Sequence, residues 1–201
     1  MNLEKKAPVL SQSQFKQVVA TTRVNDQGLR NVALLYFSTA LGLRAKEMSQ
    51  LLVRDVLNSD GKIKDEVLLT RATTKGGKQR LVYLTNKDLR KALAAYLEER
   101  RTGEARPLQP TTPLFMSRKG AGFSPNTMQM LFKRMYRAAG LDQASSHSGR
   151  RTFATSLIEQ GVDIKAVSSL MGHSSVSMTA RYVDDNPIRL RRVCEDVSVG
   201  V

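Results

Sequence analysis

The chain is short of cysteine, histidine and acidic residues, and each shortage narrows what it can be. Cys194 is the single cysteine among 201 residues, so no disulfide can close within the chain. A cysteine-based zinc site is excluded with it, and one thiol fits a reducing cytoplasm. There is no long apolar run. The most apolar stretch, Val32 to Leu43, is broken by Ser38, Thr39 and Gly42, and a bilayer span needs about 20 apolar residues. The opening MNLEKKAPVL has no apolar core of signal-peptide length. These features predict a soluble cytoplasmic protein with no membrane-spanning segment. Acidic residues are few: 18 against 32 Lys and Arg, a net charge of +14 and a pI near 10.3. Such an excess repels itself in a compact fold, and a polyanion relieves it. Nucleic acid is the first candidate partner and an acidic membrane surface the second.

What is present is ordinary for a globular domain: 41% hydrophobic and 25% charged residues. The length suits one domain with its own core. The positive charge is densest in the middle, net +8 over residues 61–120 against +3 on either side. No internal repeat or low-complexity tract divides the chain. Arg106 to Pro113, with three prolines, reads as a loop.

Helical periodicity dominates. Leu29, Val32, Ala33, Tyr36, Phe37 and Ala40 share one helix face, and Gly42 stands where a glycine stop belongs. A second helix is expected from Arg44 to Leu52. The period then changes: Val67 to Thr73 and Arg80 to Leu84 are β-prone, joined by Thr74-Lys75-Gly76-Gly77-Lys78-Gln79. The double glycine suits a hairpin turn. Helices follow over 87–101, capped by Asn86, and from Ser124-Pro125 to Ala139. Shorter ones are expected over 147–160, 163–171, 175–183 and 188–197. The fold class is mainly α with a small antiparallel β-sheet (α+β).

Several residues have types suited to phosphate chemistry. His147 and Arg150 lie three apart at a helix start, where the helix dipole disfavours imidazolium and attracts anions. They can grip a phosphate without chemistry, or one can move a proton while the other holds charge. His173 follows Met171-Gly172 and can be a cap, a core residue or a ligand. Tyr182, one helical turn from Met178, can be packing. Arg44 and Glu47 form either a surface pair or a carboxylate orienting a guanidinium. Lys75, Lys78 and Arg80 put three cations on the predicted turn, as backbone contacts or a proton donor.

Taken in order, these segments resemble the tyrosine recombinase (phage integrase) family. The matching stretches are Thr39 to Met48 around Arg44, Thr74 to Arg80, His147-Ser148-Gly149-Arg150-Arg151-Thr152-Phe153-Ala154-Thr155, and Met171-Gly172-His173 with Tyr182. The opening Leu10-Ser11-Gln12-Ser13-Gln14-Phe15 helix start extends the likeness. The resemblance implies the family's catalytic-domain fold over 1–186, and a tail over 187–201 that docks on a neighbouring protomer or packs on its own domain. Many members of that family carry a helical DNA-binding domain before the catalytic one; here none is expected, a departure that suits a short member or a fragment. The resemblance implies a site-specific recombinase cutting and rejoining duplex DNA through a 3′-phosphotyrosine. Type IB topoisomerase-like relaxation and a non-catalytic DNA-binding regulator are the competing readings.

In that scheme Tyr182 is the nucleophile, and Arg44 and Arg150 hold the non-bridging oxygens. Lys75, with Lys78 as rival, is the general acid. His147 assists proton transfer, His173 bonds a phosphate oxygen, and Glu47 supports the arginine. Lys78, Arg80 and Arg151 are expected to contact DNA. No metal or cofactor is implied. A homo-tetramer on DNA, a monomer in solution and accessory proteins are implied partners, and a mobile genetic element is a setting. Three departures stand out: Arg151 where the family often has His, Met171 where Leu is common, and Gly149 where Leu is common. Gly149 is expected to loosen helix packing.

Overall fold

In a computed structural model, residues 7–70, 79–103 and 108–182 are described. Helix α1 (Gln12–Arg23) opens on a capping box. The Ser11 hydroxyl accepts from the Gln14 N–H while the Gln14 side chain accepts from the Ser11 N–H. Helix α2 (Gly28–Ala40) is the central element, buried on most of its surface and packed on α5 (Lys87–Gly103) and α7 (Ser146–Glu159). Its apolar periodicity is the reason: Val32, Ala33, Leu34, Leu35 and Phe37 are all essentially inaccessible. Phe37 meets Phe115 edge-on at 5.2 Å between ring centroids, and Tyr96 of α5 stacks on Phe115 at 5.8 Å.

The helix expected from Arg44 to Leu52 is two helices, α3 (Ala45–Ser49) and α4 (Val53–Val56). The break has a cause in the backbone. Leu114 N–H donates to Leu51 C=O and Val53 N–H to Thr112 C=O, so this stretch pairs with the proline-rich loop instead of continuing helically. Strands β1 (Glu66–Leu69) and β2 (Arg80–Tyr83) form a two-stranded antiparallel sheet, with Leu69 opposite Arg80 and Val67 opposite Val82. β1 is shorter than the expected run. The turn carrying Lys75 and Lys78 lies outside the described residues, as do the expected final helix and the 187–201 tail.

Asn86 caps α5 as expected, its side-chain oxygen accepting from Leu89 N–H. Helix α6 (Pro125–Ala138) starts on Ser124 with proline in its first turn. Helices α8 (Ile164–Met171) and α9 (Val176–Ala180) complete the described chain. α9 ends sooner than expected, which leaves Tyr182 beyond the helix rather than on it.

Two apolar clusters result. The larger joins α1, α2, α3, α5, α6 and the sheet. The smaller gathers Ala154, Ile158, Val167 and Met171, with Phe153, Leu157 and Tyr182 packed against it. The candidate site lies where these two clusters meet. Helix α7 crosses α2 closely because residue 149 is glycine. A Cβ there would stand 2.4 Å from Ser38 Oγ and 2.9 Å from Ser38 Cβ. The expectation that Gly149 loosens packing is therefore reversed: the missing side chain is what brings the two helices into contact.

Candidate active site

Two left-handed glycines build the site. Gly42, at φ +62°, turns the chain from α2 into α3, and a Cβ would meet Phe153 at 2.5 Å. Gly172, at φ +60°, ends α8, where its own N–H and that of His173 donate back to carbonyls of the last turn. Arg150 ties these turns together. Its two terminal nitrogens donate to Gly42 C=O and Met171 C=O, each at 2.5 Å. Arg150 as a whole is only 3% exposed. An arginine can bond carbonyls on one edge and still present the remaining N–H groups to an anion.

Arg44 precedes α3 and lies at its N-terminus. Its backbone N–H donates to Glu47 Oε2 at 2.7 Å and its guanidinium to Glu47 Oε1 at 2.8 Å. Glu47 is fully buried and also accepts a fork from Arg80, at 2.6 Å on Oε1 and 2.9 Å on Oε2. Burial alone raises a carboxyl pKa, but hydrogen bonds and charge from Arg80, then Arg44, hold Glu47 below the usual carboxylate range. Burial, then the Arg44 charge, lowers the pKa of Arg150, with Arg80 adding to the effect and Glu47 opposing it. Arginine remains charged at neutral pH even so. The guanidiniums of Arg44, Arg80 and Arg150 thus face the single carboxylate of Glu47, and positive charge is left over for an anion.

His173 closes the cluster. Its Nδ1 pairs with Thr179 Oγ1 at 2.8 Å, and the Thr179 side chain is buried. Burial, then the charges of Arg150, Arg44 and Arg80, lowers the His173 pKa to about 4. The imidazole is therefore neutral at pH 7. In the tautomer in which the Thr179 O–H donates to Nδ1, the ring proton sits on Nε2 and can be donated to an anion. Tyr182 stacks on this ring, with centroids 5.8 Å apart and planes within 5°. It is half-buried, and its phenol lies within electrostatic reach of Arg150.

Arg44, Glu47, Arg150, His173 and Tyr182 are thus gathered in one place from segments far apart in the chain. His147 is exposed on an otherwise buried first turn of α7, one turn before Arg150. Lys75 and Lys78 fall outside the described residues. Arg80 was expected on the DNA-facing surface. It is instead 8% exposed, its terminal nitrogens held by Glu47. The cause is strand parity: Arg80 shares the inward face of β2 with Val82. Arg151, also expected to contact DNA, is half-buried and donates to Ala7 C=O at 3.1 Å, which ties the start of the chain to α7. Thr179 was not anticipated, since a threonine six residues after a histidine carries no sequence signal.

The described residues form a mostly helical domain with a two-stranded sheet, in which two arginines, a histidine and a tyrosine gather beside the Glu47 carboxylate. Residues 8–189 match the phage integrase family, and the chain belongs to it. It is 32% identical over 173 residues to tyrosine recombinase XerC of Pelobacter propionicus, covering 86% of this chain and 53% of that protein. It is 32% identical over 200 residues to tyrosine recombinase XerD of Neisseria meningitidis serogroup B, covering 96% and 64%. The chain thus spans between half and two-thirds of the length of these relatives. The fold is shared with XerA recombinase, at a TM-score of 0.75 and 24% identity over 94% of this chain and 65% of that one. It is shared also with the Tn1549 transposon integrase in complex with transposon right end DNA, at 0.75 and 19% over 98% and 67%. Among the described residues no helix is long and apolar enough to cross a membrane, and no cluster of His, Cys, Asp and Glu could hold a metal.

Proposed function

We propose that the chain carries the catalytic machinery of a site-specific DNA recombinase, which cuts and rejoins duplex DNA through a 3′-phosphotyrosyl intermediate. The observation that carries this reading is the stacking of Tyr182 on His173 beside the Arg44–Arg150 pair. The Tyr182 phenolic oxygen attacks the scissile phosphorus, the bond to the 5′-oxygen breaks, and the leaving oxygen takes a proton. Arg44 and Arg150 neutralise the non-bridging oxygens as charge builds in the five-coordinate state. Neutral His173 donates from Nε2 to one of them. Lys75 or Lys78 protonates the leaving 5′-oxygen, which departs as a hydroxyl, and His147 takes the Tyr182 proton. The phosphotyrosine keeps the energy of the broken ester, so a 5′-hydroxyl from another strand reverses the step without ATP.

Duplex DNA is the partner, and strand exchange requires several protomers on DNA, most simply a homo-tetramer. The family membership, the curated recombinases it resembles and the net positive charge all support this reading. The test is a nicked duplex that traps the covalent intermediate, built from DNA flanking the gene. The expected result is a protein–DNA adduct that Tyr182→Phe abolishes. DNA binding without an adduct points to a regulator. Relaxation of supercoiled plasmid lacking such DNA points to a topoisomerase-like enzyme.

A further inference from the structure

We propose that Arg80 is a positioning residue for strand cleavage: by saturating Glu47 from the buried side, it stops that carboxylate from capturing Arg44 and keeps the Arg44 guanidinium available to the phosphate. The inference rests on the recombinase reading above and deepens it.

The geometry is a competition for one carboxylate. Glu47 receives both terminal nitrogens of Arg80 in a fork, together with the Arg44 backbone N–H. One further contact remains, and Arg44 makes it through a single nitrogen. Arg80 and Glu47 have side chains 5% and 0% exposed, whereas that of Arg44 is 18% exposed. The buried arginine is committed to the carboxylate, and the more exposed one is held at a single point. Forked guanidinium–carboxylate pairing is the stronger mode. With Arg80 absent, Arg44 is the nearest cation able to fork onto Glu47, and doing so turns it inward.

A second contact fixes the same side chain. A Cβ on Gly172 would stand 2.7 Å from an Arg80 terminal nitrogen and 2.8 Å from its Cδ. Arg80 therefore lies flat on the turn that presents His173. It links β2, α3 and the α8–α9 turn, and its charge also acts on His173.

The test uses the full chain and the trapped-adduct assay at saturating DNA. In Arg80→Met the rate of adduct formation should fall about tenfold to a hundredfold, the range for groups that orient a functional ligand. DNA affinity should fall no further than in Arg44→Gln, because Arg80 is buried and reaches the phosphate only through Arg44. Arg80→Lys should recover little, since an ammonium cannot fork across two oxygens. Arg80→Met combined with Glu47→Gln should be faster than Arg80→Met alone, because a neutral amide no longer captures Arg44. A purely structural role predicts the reverse. An Arg80→Met rate equal to wild type, or a double variant no faster than the single one, overturns the proposal.

Should Arg80→Met fold poorly, Gly172→Ala displaces the same guanidinium from its other side and should slow adduct formation likewise; an unchanged rate there overturns the proposal. The recombinase reading fails separately, through absence of any Tyr182-dependent adduct in the wild type. The decision then passes to inorganic phosphate binding, followed through the His173 NMR signal. Arg80→Met should weaken that binding at least about tenfold, and equal binding overturns the proposal.

Discussion

His173 shows how strongly a few neighbours can set one residue's chemistry. Burial and three nearby guanidiniums bring its pKa from 6.5 to about 4. An unfolded chain therefore takes up a proton near pH 6.5 that the folded chain refuses until near pH 4. The folded-state pKa is the lower one, so the stability tied to this group is full above pH 6.5. It is lost progressively as pH falls toward 4. Denaturant midpoints measured across pH 4–7 should decline on the acid side, and His173→Asn should flatten that limb. A limb of equal slope in the variant would show that other groups carry the dependence. The convergence of Arg44, Glu47, Arg150, His173 and Tyr182 was legible in the sequence because their types and order resemble a family pattern. The burial of Arg80 was not anticipated, although the alternation Arg80, Val82, Leu84 already placed it on the apolar face. Its charge and its place beside a basic turn argued for the surface, and burial of a forked pair outweighed both. Thr179 depends on a three-dimensional turn and left no pattern to read.

At the level of elements, periodicity located most helices and missed their interruptions. The Arg44–Leu52 helix breaks because its backbone bonds the loop near Pro113, a partner some sixty residues away that local pattern does not reveal. Helix α7 shows the same limit. Gly149 in a helix interior costs about 0.5–1 kcal/mol relative to alanine from propensity alone. Here Gly149→Ala should be destabilising all the same. The new Cβ overlaps Ser38 and approaches Thr39 Cγ2 at 3.0 Å, and overpacking of this kind costs about 1–3 kcal/mol. Chemical denaturation should show a net loss. Ser38→Ala in the same chain should recover part of it, because Ser38 Oγ is the nearest obstacle and is buried without a hydrogen bond. A Gly149→Ala protein more stable than wild type would mean that α7 slides off α2 at no cost.

Over the whole molecule the governing quantity is the +14 charge and how much of it faces outward. Composition showed that excess at once, but not which cations are already compensated inside. The structure separates them: Arg80 is buried on Glu47, whereas Lys119, Lys133 and Arg137 are exposed. DNA affinity should fall linearly with the logarithm of salt concentration, with a slope of about −0.9 for each phosphate neutralised. A footprint of 6–10 phosphates corresponds to a loss of about 10³–10⁵ in affinity between 50 and 200 mM salt. Arg44→Gln should make the slope shallower by about 0.9, because it removes one phosphate contact. Arg80→Met should make the slope shallower by the same amount and no more while slowing cleavage, because it withdraws Arg44 from that phosphate while its own charge is spent inside the protein. Fluorescence anisotropy over a salt series measures both slopes. A slope in Arg80→Met clearly shallower than that in Arg44→Gln would place the Arg80 guanidinium itself on the DNA, and would restore the surface role that its position beside the lysine-rich turn first suggested.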